Sequence, residues 1–145
     1  GPMRILFVDD EIEHVEVVSR VVAEALDADV RVVSTVTDAV AALHSAPYDL
    51  VVMDIFIPLG ASAGRVMGPR ARRYAEDLQH LGGVVLLDEL QRLSVRPSVL
   101  SHTACTDFEL LELMKDVVTD RVPKPAPVDV LLGAVLRALD LPVPG

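Results

Sequence analysis

Short apolar runs alternate with helical-period segments along the whole chain, and this alternation is what most limits its fold. Arg4–Val8 is β-rich and stops abruptly at Asp9-Asp10-Glu11. From Ile12 onward, Val15, Val18, Val22, Ala25 and Leu26 recur at helical spacing. That segment therefore reads as a helix despite its β-branched content. Val30–Val33 and Asp49–Met53 read as the second and third strands, the latter apolar on both faces as a central parallel strand is. Between them, Thr37 is the expected cap of a helix that ends before Pro47. Further on come a helix at Val84–Leu93 and a strand at Ser98–Leu100. A Thr106-x-x-Glu109 capping box then opens a helix through Leu110, Leu113, Met114 and Val117. A short strand at Arg121-Val122 and a last helix from about Val128 to Leu139 complete the pattern. Five strands alternating with helices imply an α/β fold, a doubly wound five-stranded parallel sheet with helices on both faces.

Composition narrows what such a sheet does. At 145 residues the chain suits one domain. Its five aromatic residues leave an aliphatic core to be built from Val, Leu, Ile and Ala. The lone Cys105 excludes a disulfide framework and any multi-cysteine metal site, and reads as a packing residue. With 13 basic and 22 acidic side chains the net charge is −9, which argues against direct nucleic-acid or anionic-membrane binding by this domain. No apolar run approaches the roughly 18–20 residues of a membrane span. Gly1-Pro2 ahead of Met3 reads as a protease-cleavage scar, and residues 141–145 as a tail or linker start. The expectation is a cytoplasmic domain over residues 3–140.

The carboxyl ends of the strands carry the chemistry. Ligands of open parallel sheets bind there, near the topological switch point. The first strand ends at Asp9 and Asp10, the third at Asp54, the fourth at Thr103 and the fifth at Lys124. Converging carboxylates repel one another in a partly buried site, and a divalent cation relieves that. Hard oxygen ligands favour Mg²⁺ over zinc. Carboxylate, metal, hydroxyl and lysine together make a phosphoryl-transfer site. Taken singly each residue has a plainer reading: the acidic pair as helix N-terminal residues, Thr103 as a strand threonine.

Four motifs in order, Val8-Asp9-Asp10-Glu11, Met53-Asp54-Ile55-Phe56-Ile57-Pro58, Thr103-Ala104 and Lys124-Pro125, resemble those of response-regulator receiver domains of two-component signalling. The resemblance spans nearly all of residues 3–140 and implies the flavodoxin-like receiver fold. It implies Asp54 as phosphoacceptor, and Mg²⁺ held by Asp10, Asp9, Asp54 and the Phe56 backbone carbonyl. Thr103 would hydrogen-bond a phosphoryl oxygen, the small Ala104 would leave room for the donor, and Lys124 would pair with the phosphoryl group. A cis Lys124-Pro125 peptide is expected. Phe56 and Cys105 would flank the route of hydrolytic water, implying a long-lived acyl phosphate. A histidine kinase or phosphotransfer protein is the implied partner, with a homodimer or an effector as further ones. Phosphoryl acceptance and loss would be self-catalysed, with no separate substrate.

Three features depart from that family. Arg121 stands where an aromatic residue is usual, so the aromatic relay is in doubt. Pro123 and Pro125 bracket Lys124 and should stiffen its loop. An insert at about 59–81 separates the third strand from the third helix. Arg65, Arg70, Arg72 and Arg73 oppose only Glu76 and Asp77 there, for +2 against −11 elsewhere. A flexible Gly60–Gly64 lead-in and a helix after Pro69 are expected, with Tyr74 and Leu78 docking it. Arg65 is the insert residue expected near the site as a gating or partner contact, as is Arg121; Arg70, Arg72 and Arg73 are expected to face solvent or a partner. The alternative function is a receiver-like interaction module that switches without phosphorylation. A haloacid-dehalogenase-type phosphohydrolase is disfavoured, because Phe56 stands where that class expects a second aspartate.

Overall fold

In the computed structural model, which describes residues 1–60, 69–70 and 79–143, the apolar runs lie side by side in one sheet. The strands are β1 (Arg4–Val8), β2 (Asp29–Val33), β3 (Leu50–Met53), β4 (Ser98–Ser101) and β5 (Asp120–Arg121). They are all parallel, in the order β2-β1-β3-β4-β5. Five helices are described: α1 (Ile12–Leu26), α2 (Val36–Ser45), α3 (Gly82–Arg92), α4 (Phe108–Met114) and α5 (Val128–Ala138). The expected doubly wound, flavodoxin-like sheet is present, with element ends shifted by up to about three residues, as helix and strand termini commonly are. No described helix is long and apolar enough to cross a membrane.

Strand alternation divides the core into two layers. Leu6, Val8, Val51, Met53 and Val99 point to one face, where they meet residues of α2, α3 and α4. Ile5, Phe7, Leu50, Val52 and Leu100 point to the other and meet α1 and α5. The three central strands are thus buried on both sides, which explains why β3 is apolar without alternation. Each such aliphatic side chain contributes about 1.5–3 kcal/mol of burial.

Two caps differ from the sequence expectation. The cap of α2 is Thr35, whose hydroxyl accepts from the Asp38 N–H at 3.1 Å. The helix begins earlier because Val36 is needed in the core, where it is fully buried. Thr37 instead donates its hydroxyl to the Leu59 carbonyl, pinning the loop after β3. At α4 the cap is Asp107, not Thr106: its carboxylate accepts from the N–H groups of Glu109 and Leu110.

The start of α3 is packed against that same loop. The N–H groups of Gly82 and Gly83 donate to the carbonyls of Ile57 and Ile55. A Cβ at Gly82 would overlap the Ile57 oxygen, and one at Gly83 the Ile55 Cα. Glycine here is a requirement of close approach, and it fixes the segment that follows Asp54.

Much of the insert, including Arg65, Arg72, Arg73, Tyr74 and Leu78, lies outside the described residues, so the expectations for those side chains do too. Pro69 and Arg70 are helical. Arg70 does not face solvent or a partner, as its charge suggested: it is only 8% exposed. Its guanidinium donates to Asp88 Oδ1 (2.8 Å) and Gln91 Oε1 (2.6 Å) on α3 and to the Leu113 carbonyl (3.0 Å) on α4. A planar fork with several donors can serve all three acceptors at once, and this recovers the cost of burying the charge.

Candidate functional site

The order of the strands places β1 between β2 and β3, so the crevice of the sheet opens above the ends of β1 and β3. The ladder runs on past the strands into the site. Asp9 N–H donates to the Val33 carbonyl, Asp54 N–H to Val8, His102 N–H to Met53, and Lys124 N–H to Thr103, at 2.8–3.0 Å. The chain is therefore held by main-chain bonds where the polar side chains begin.

Asp9 and Asp54 are built alike. Oδ1 of each accepts the backbone N–H two residues on, from Glu11 and Phe56 respectively, both at 3.0 Å. Oδ2 of each is left to Lys124, whose Nζ lies 2.8 Å from Asp9 and 2.9 Å from Asp54. Glu11 Oε1 reaches the same ammonium at 3.2 Å. Asp9 and Asp54 are each 3% exposed and Thr103 1%. Burial raises the Asp9 pKa above the usual aspartate value, outweighing the Lys124 contacts that lower it. For Lys124 the balance is reversed: burial disfavours its charge, but the hydrogen bonds to Asp9 and Asp54 win and the pKa is raised.

Asp9, Asp54 and Lys124 thus come together as the strand order implies, with buried Thr103 on the neighbouring strand end. Its Oγ1 accepts from the Cys105 N–H at 3.2 Å. Ala104 beside it is exposed, and Phe56 is 41% exposed. The Lys124-Pro125 peptide is cis. Asp10 is exposed and does not join the cluster; the third carboxylate is Glu11. Glu11 lies in the quoted motif, but only the turn after β1 shows that it, rather than its neighbour, faces Lys124. Arg121 is exposed. Cys105 is buried, which pushes its thiol pKa up and suits packing rather than redox work. The His14 and His102 rings lie next to each other, with centroids 6.1 Å apart.

The pocket fits a small hard cation. Carboxylate oxygens of Asp9, Glu11 and Asp54 all lie within 4.8 Å of one another. Among the described residues, three carboxylates face one ammonium and leave an excess of negative charge, and the carboxylate donors are all oxygen, as Mg²⁺ prefers.

No family model and no curated protein matches the chain. Solved structures do. A CheY-like receiver domain from Methanospirillum hungatei superposes with a TM-score of 0.73 at 17% identity, over 97% of this chain and 95% of that one. The receiver domain of the Francisella response regulator 1452 gives 0.69 at 20%, over 97% and 98%. The signal receiver domain of an HD domain-containing protein from Pseudomonas fluorescens gives 0.72 at 19%, over 96% and 88%. At nearly full coverage of both partners, with the five-stranded order and the acidic cluster already in place, the chain has the receiver-domain fold of response regulators.

Proposed function

We propose that this chain is a phosphoacceptor signalling switch that takes a phosphoryl group from a histidine kinase or phosphotransfer protein onto Asp54. The observation that carries the reading is the shared hold of Lys124 Nζ on Asp9 and Asp54 at the carboxyl ends of β1 and β3. An Asp54 oxygen attacks phosphorus as the P–N bond of the donor phosphohistidine breaks, and the donor imidazole leaves with the electron pair and takes a proton. The Phe56 N–H fixes one Asp54 oxygen and so presents the other toward Lys124. Lys124 then exchanges a carboxylate for a phosphoryl oxygen, keeping its charge paired throughout. Thr103, at the end of the next strand, supplies a hydroxyl donor, and exposed Ala104 leaves the approach clear for an imidazole.

Asp9 and Asp54, with Asp10 or Glu11 from the same loop and the Phe56 carbonyl, would hold Mg²⁺. When bound, Mg²⁺ offsets the charge that develops on the phosphoryl oxygens. The test is incubation with Mg²⁺ and acetyl or carbamoyl phosphate, followed by intact mass. One phosphoryl adduct, absent in Asp54→Asn, is expected. No adduct on the wild type would reject this reading in favour of a module that switches without phosphorylation.

A further inference from the structure

Beside the acidic pocket, on the α1 side of the sheet, His102 is buried one residue before Thr103 and is 3% exposed. Its Nδ1 lies 2.8 Å from the Val122 carbonyl. A carbonyl can only accept, so Nδ1 carries the proton and Nε2 the lone pair. Nε2 is shut off from solvent and has no hydrogen-bond partner.

His14, exposed on α1, stands next to it with the ring planes inclined by 34°. Both histidines and Asp9 line a cavity of about 10 Å³ whose other walls are Phe7, Val15, Val18, Val52 and Leu131. That volume holds one water-sized occupant. Both Asp9 oxygens are already engaged, by the Glu11 N–H and by Lys124. Among the residues that line this cavity, His102 has the unpartnered side-chain atom, an imidazole nitrogen whose ring is oriented by a backbone carbonyl, the arrangement proteins use to aim histidine ligands at metals.

Imidazole suits zinc, nickel and copper, whereas carboxylate and carbonyl oxygens suit Mg²⁺. We propose that His14 and His102 form a second cation site, distinct from the carboxylate pocket, that takes one borderline divalent ion of the zinc or nickel class. The ion bridges α1 to the end of β4, with water completing its shell on the exposed His14 side. Two neighbouring sites then sort cations by hardness.

The experiment titrates Zn²⁺ into the full chain against a chromophoric chelator, with Mg²⁺ in excess to saturate the oxygen site. His14→Gln and His102→Gln are compared with a His44→Gln/His80→Gln control. One Zn²⁺ per chain is expected, with affinity at least about tenfold weaker in His14→Gln and unchanged in the control. Long-range ¹H–¹⁵N spectra should show the His102 Nε2 resonance move on addition of Zn²⁺. Because His14 is exposed, its variant remains decisive even if His102→Gln does not fold. Wild-type affinity in His14→Gln, or an unmoved Nε2 resonance, overturns the proposal and leaves the cavity to water.

Discussion

Replacing Arg70 by Met should destabilise the domain by about 3–5 kcal/mol, the usual result of removing one partner from a buried ion pair. The structure gives the ingredients. Arg70 and Asp88 have side chains only 10% and 4% exposed and meet at 2.8 Å. The same guanidinium also supplies donors to Gln91 and the Leu113 carbonyl. The 4.0 Å approach to Asp116, which is 78% exposed, adds little. With a urea m-value of about 2 kcal/mol/M, the unfolding midpoint should fall by about 2 M. Against a total stability of about 5–15 kcal/mol this is a large loss. Adding Asp88→Leu to Arg70→Met should restore part of it, because the buried carboxylate left without Arg70 is then gone. A midpoint for Arg70→Met within about 0.3 M of wild type would refute the argument. So would a double variant whose loss is the sum of the two single ones.

Asp9→Asn should raise the stability of the metal-free protein in urea while weakening Mg²⁺ binding, because burial already disfavours the Asp9 carboxylate; a lower midpoint would contradict this. Burial lowers the His102 pKa below its usual 6.5, so below pH 6.5 the unfolded chain binds the extra proton. The stability present above 6.5 should therefore fall as the pH drops, and a urea pH series on His102→Gln should lack that part of the slope. Phe56, at the rim of the site, should slow access of water to an Asp54 acyl phosphate, and Phe56→Asn should shorten the adduct lifetime measured by mass. An unchanged lifetime would remove Phe56 from that role; Cys105 is too buried for a charged replacement to give a clean companion test.

The sheet was legible because its signals are local. RILFV and LVVM are apolar and β-rich over four or five residues, and each ends at a carboxylate, so strand and site residue are read from the same few positions. Right-handed crossovers then leave few ways to order five parallel strands. Asp9 and Asp54 follow, since a residue just past a central strand has little choice of where to stand, and Lys124 is brought beside them by the bond of its N–H to the Thr103 carbonyl. What depends on packing was less legible. Thr35 and Thr37 are equivalent as cap residues in the sequence, and only the burial of Val36 decides between them. Asp10 and Glu11 differ by one residue in a turn, and only its path shows which faces Lys124.

Lys124 and Arg70, both described cations with buried side chains, are placed by different means. Lys124 lies just past β5, an edge strand whose one neighbour is β4, and its N–H bonds to Thr103 at the end of β4, so its meeting with two carboxylates follows from the sheet. Arg70 belongs to none of the five strands and stands in a run of arginines that reads as a solvated surface. Its destination is set instead by Asp88 and Gln91, three positions apart and so on one face of α3, and by a carbonyl of α4. Asp88 is the sequence signal that could have been used: in Val84–Leu90, apolar apart from Asp88 and Glu89, it stands four residues after Val84 on an apolar face, and an aspartate almost never goes fully buried there without a cationic partner. Arg92, on the same helix, pairs with Glu89, and the arginine-rich insert that enters directly before that helix is the next source of such a partner. A charge inside an apolar helix face is therefore informative about a segment far from it in kind, and here it points to Arg70, a described residue of the insert that is bonded to α3 and α4.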